Sequence, residues 1–101
     1  MDNEMMEKIL VELGMGNLPE EEKISTMERI GKILYQAVML RVMDTMTDEQ
    51  AETFGKAMGE NPTPEFIINY LKGVLPNMNQ IIEEEALKFK AESKAIMSLG
   101  V

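Results

Sequence analysis

The chain has 101 residues, the usual size of one domain, and its 45% hydrophobic against 28% charged residues is the balance of a sequence that can bury a core. Eighteen acidic against ten basic side chains leave a formal charge of −8, a surface that phosphate backbones and anionic lipid repel, so neither nucleic acid nor membrane is expected as a partner. Cysteine and histidine are both absent, which excludes disulfides, thiolate metal sites and every nucleophile that depends on a histidine base, and no cofactor or metal site is expected.

Apolar residues recur every three to four positions almost throughout, the period of helices rather than strands. The first helix is expected from Asp2 to Leu13, with Met6, Ile9, Leu10 and Leu13 on one face and Asp2 or Asn3 as cap. Gly14 and Gly16 can supply the positive φ that ends it. Leu18-Pro19 should open the second helix with proline at the first position, followed by Glu20, Glu21 and Glu22 where the helix dipole favours negative charge. This helix, to about Asp44, is the longest. Its apolar positions, among them Ile24, Ile30, Ile33, Leu34, Val38, Leu40, Val42 and Met43, cover more than one stripe and predict a central helix enclosed on several sides. Gly31 inside it costs about 1 kcal/mol against alanine and marks a tight crossing or a kink.

Thr47-Asp48-Glu49-Gln50 reads as a capping box opening a third helix that turns Ala51, Phe54, Ala57 and Met58 inward. Gly59 to Pro62 breaks it. Thr63-Pro64 starts a short fourth helix whose buried side is Phe66, Ile67, Tyr70, Leu71 and Val74, and Leu75-Pro76 ends it. The last helix spans Asn77 to Leu99, with Asn77 and Gln80 as a second cap, Glu84 and Lys88 as an i, i+4 pair, and Gly100 as the stop. Its seam, Ile82, Ala86, Phe89, Ser93 and Ile96, alternates steps of four and three as a heptad does. The fold class is therefore all-α: one domain over 1–101, a compact bundle of about five helices around the long second one.

The tools for chemistry are few. The acidic clusters Glu20–Glu22, Glu83–Glu85 and Asp44 with Asp48 sit beside lysines or in first turns, where solvation and capping account for them. The stretch from Asp44 to Asp48 fails as a calcium loop, because its sixth position is Glu49 instead of glycine and its twelfth is Gly55 instead of a bidentate glutamate. Gly14-Met15-Gly16 has neither the further glycine nor the lysine of a phosphate loop. Gly55 and Gly59 have the spacing of a helix-pairing motif, in a charged segment where a close neighbour or a frayed end explains them. Eleven methionines fill irregular core gaps or build adaptable surfaces.

Three stretches, Leu13 to Lys23, Met46 to Gln50 and Leu75 to Glu85, resemble in order and spacing a family of short helical proteins of unknown function from candidate-phylum, ultrasmall bacteria. The resemblance covers nearly the whole chain and implies a helical domain in a bacterial cytoplasm, with no activity or catalytic residue to carry over. The acidic start of the chain and the lack of a roughly 20-residue apolar run point to the same compartment. The expected function is a non-enzymatic protein-protein interaction module, self-associating as a homodimer or binding another protein through the last helix, with Ile82, Phe89, Ile96, Met97 and Leu99 as the candidate interaction surface. Two alternatives remain open: an acidic decoy that inhibits a nucleic-acid-binding protein, and a carrier of small apolar ligands in a Met-lined pocket.

Overall fold

The structure is a computed structural model that describes residues 3–60 and 62–99. Among these it forms α1 (Asn3–Glu12), α2 (Glu20–Thr45), α3 (Asp48–Met58), α4 (Pro64–Val74) and α5 (Met78–Leu99). The fold is all-α, as the periodicity requires. The cap at Asp2 and the stop at Gly100 lie outside the described residues.

Local chemistry sets most boundaries. Gly14, at φ 78°, ends α1: its N–H donates to the Val11 carbonyl at 3.0 Å while the Met15 N–H reaches back to Leu10 at 2.8 Å. That pair of hydrogen bonds is a Schellman cap, satisfying two carbonyls the helix would leave orphaned. Gly16 does not share the positive φ. A Cβ there would meet the Val11 Cγ2 at 3.0 Å, so its glycine serves close chain approach. Pro19 lies one step outside α2 rather than at its first position. Its ψ of 149° is extended, and its carbonyl accepts the first helical bond, from the Lys23 N–H at 2.9 Å.

The capping box forms in full: the Gln50 N–H donates to the Thr47 hydroxyl at 3.1 Å, and the Thr47 N–H to the Gln50 side chain at 3.0 Å. Gly59, at φ 65°, ends α3. The Thr63 hydroxyl accepts from the Phe66 N–H at 3.1 Å ahead of Pro64. At α5 the expected reciprocal cap is replaced. The Gln80 amide points down the helix to Glu84 at 3.3 Å.

Packing explains the rest. As α2 runs from Ile30 to Val42, its neighbours on α5 run back from Phe89 to Met78, so the two long helices are antiparallel and form the spine. One end of the spine is covered by α1, through Met6, Ile9 and Leu10, and by Leu13 just after it. The other end is covered by α4, through Ile67, Ile68 and Leu71. Two hydrophobic clusters arranged end to end give an elongated body of 47 × 25 × 20 Å. No polar or charged residue is buried among the described residues. Gly31 marks a close approach: a Cβ there would meet the Met6 Sδ of α1 at 3.1 Å.

Three expectations of burial are corrected. Helix α2 buries a single line, Ile30, Leu34, Val38 and Val42, and leaves Ile24, Ile33, Leu40 and Met43 exposed. The helices that cover it, chiefly α1, α4 and α5, occupy one side. In α3 no residue is buried: Ala51 and Ala57 face out, and only Phe54 and Met58 pack partly against the core. In α4 the buried side is Ile67, Ile68 and Leu71, while Phe66 and Val74 stay half-exposed. Methionine is used mostly at core margins. Met6 and Met78 are buried, six others are partly buried around the two clusters, and Met43 and Met97 are exposed.

Candidate interaction surfaces

The α5 residues expected to form one interaction surface divide between inside and outside. Ile82 packs against the α4-side cluster and Phe89 against the α1-side cluster. Ile96, Met97 and Leu99, in the last turns, are 68%, 44% and 85% exposed. The seam is therefore internal as far as Phe89 and becomes an exposed apolar end beyond it.

A second apolar surface lies on the outer face of α2, where Ile33 is 50% and Leu40 68% exposed. The sequence counts both among the apolar positions of an enclosed helix, and the structure turns them outward. The available signal was their seven-residue separation. It sets them together on one face, turned away from the four-residue steps of the buried line.

Between α1 and α4, floored by α2 and α5, runs an open groove of about 1110 Å³. Met5, Met6, Met27, Tyr35 and Ile68 supply its apolar wall, and Glu28, Lys32, Glu65 and Lys72 are charged groups along it. Its walls come from four separate helices, so no local sequence pattern could announce it.

Charged groups tie the helices together around these surfaces. Arg41 of α2 reaches α5, donating to Glu84 at 2.5 Å and to Glu85 at 3.3 Å. Glu84 thus turns to Arg41 and Gln80 rather than to Lys88. Lys23 donates to Glu7 at 2.6 Å, and Lys90 to Glu12, joining α1 to α2 and to α5. The hydrogen bond from Lys90 holds the Glu12 carboxyl below the usual carboxylate range. Those from Arg41 and Gln80 do the same for Glu84. The hydrogen bond to Glu7 raises the Lys23 ammonium above its ordinary value. A carboxyl lowered in the folded state contributes stability above the ordinary value of 4.5, and that contribution fades as pH falls through the lowered one. A raised lysine contributes below 10.5 and fades above it. These pairs are solvent-accessible and salt-screened, so the effect is small. The expected result is a urea midpoint that declines on acidification below about pH 4.5, less steeply in Lys90→Met than in the unsubstituted chain. Parallel declines would remove the Glu12 pair as a contributor.

No group of carboxylates suited to a metal ion occurs among the described residues, and none of their helices is long and apolar enough to cross a membrane. No protein-family model, curated protein or solved structure matches the chain.

Proposed function

We propose that this chain is a non-catalytic protein-interaction module that self-associates through apolar side chains left outside its core. The observation that carries the reading is the grouping of those side chains. Ile33 and Leu40 share the outer face of α2, and Ile96, Met97 and Leu99 share the end of α5. Single exposed apolar residues are ordinary on any surface, whereas residues sharing one helix face are what a partner helix recognises. The acidic side chains add solubility and, through Arg41, Lys23 and Lys90, tie helices together; none of these roles calls for turnover.

A second reading, a carrier of a small apolar ligand, is favoured by the groove between α1 and α4. Its methionines are adaptable enough to line such a ligand. The acidic-decoy alternative has less support, because Glu7, Glu12, Glu52, Glu84 and Glu85 are already engaged by cations of the same chain. Native mass spectrometry of the purified protein over a range of concentrations separates the readings. A dimer mass that grows with concentration is the expected result. A monomer at every concentration removes self-association, and a monomer that retains a lipid-like adduct replaces it with the carrier reading.

A further inference from the structure

We infer that the outer face of α2 is a two-fold interface for a second copy of this chain, lying antiparallel with Ile33 against the partner's Leu40 and Arg29 against the partner's Asp44. The inference rests on the proposed self-association and fixes its surface, its occupant and its register.

The geometry starts from helix periodicity. At about 100° per residue, Arg29, Ile33, Gln36, Leu40 and Asp44 fall within roughly 80° of arc, on the side away from the buried line Ile30-Leu34-Val38-Val42. All five are exposed. Positions 29 and 44, 33 and 40, and 36 and 37 are each equidistant from a point between Gln36 and Ala37. A two-fold axis through that point therefore sets each member of a pair opposite the other, which is the self-complementarity an isologous dimer needs. From Arg29 to Asp44 the stripe is about 22 Å long.

Charge selects the second copy and its direction. Antiparallel pairing joins Arg29 to Asp44 at both ends of the stripe. Parallel pairing would set arginine on arginine and aspartate on aspartate. Neither the Arg29 guanidinium nor the Asp44 carboxylate makes a side-chain hydrogen bond or ion pair with another described residue, so both are free to do this. Asp44 adds a second argument. It stands in the last turn of α2, where the helix dipole disfavours an anion, and that turn has no basic residue. The partner's guanidinium supplies the missing cation. At the axis, Ala37 is small enough for the helices to approach, and the Gln36 amides can bond across it.

Sedimentation velocity from low to high micromolar concentration tests the arrangement, with thermal melting of each variant as the check on folding. Each substitution acts twice in a two-fold dimer. Leu40→Lys and Ile33→Lys are expected to weaken dimerisation by about a hundredfold or more at unchanged melting temperature of the dilute monomer. Leu87→Lys, an equally apolar-to-charged change on exposed α5, should leave the dimer intact. Arg29→Glu and Asp44→Arg should each weaken it by about tenfold, and the double variant should return it to within about threefold of the parent. Failure of the double variant to recover overturns the antiparallel register. A dimer insensitive to Leu40→Lys but dissolved by Ile96→Lys overturns the α2 interface while leaving self-association standing. A monomer at all concentrations overturns both.

Discussion

Leu34→Ala is expected to lower the unfolding free energy by about 3 kcal/mol and the melting temperature by roughly 15 °C. Leu34 is 1% exposed and sits in the cluster shared by α1, α2 and α5. Three helices bound the space its side chain would vacate. One of them, α1, is seated by its own buried Met6, Ile9 and Leu10, so the cavity cannot simply collapse. A loss of that size is a large part of the 5–15 kcal/mol that a domain commands. Leu40→Ala is the control on the same helix. Its side chain is mostly in solvent, so the expected change is within about 0.5 kcal/mol. Both should be measured by urea denaturation at low protein concentration, where any assembly does not add to folding. Equal losses at the two positions would place Leu40 inside and remove the single buried line on which the outer face of α2 depends.

That contrast between two leucines also marks how far the sequence could be read. Helix class and ends were legible because they rest on short-range chemistry. Thr47 with Gln50, Thr63 ahead of Pro64, and Gly14 and Gly59 at positive φ each act within a few residues of themselves. Which side of each helix would be covered depends on partners distant in the chain. In α2, Leu34 and Leu40 are equivalent in hydropathy and differ only in whether α1, α4 and α5 reach them. The three main covering helices enclose one side of this 26-residue helix, not its circumference. The same limit explains α5. Its heptad-like seam continues evenly from Ile82 to Ile96, but the body it packs against gives out after Phe89, so one sequence pattern serves two physical roles. The groove between α1 and α4 had no local signature at all.

Helix α3 should detach as a unit when Phe54 is removed. It is 11 residues long and buries none of them fully. Helices this short are marginal in water without tertiary support, even with good caps. The support here is narrow: Phe54 and Met58 lie at the margin of the α4-side cluster, with the Phe54 ring 6.0 Å from Tyr70 and tilted by 50°. A crevice of about 180 Å³ beside Phe54 and Tyr70 leaves that contact incompletely packed. Phe54→Ala removes the largest part of it, roughly 2 kcal/mol for a ring that is only partly buried. The capping box contributes about 1 kcal/mol and cannot hold the helix alone. The expected outcome is loss of amide-exchange protection across 48–58 with protection retained at Leu34, Val38 and Ile81, which belong to the spine. Thr47→Ala should move exchange in the same segment in the same direction and by less. If Phe54→Ala instead lowers protection along α2 and α5 together, α3 belongs to the cooperative core, and its lack of buried residues understates what it contributes.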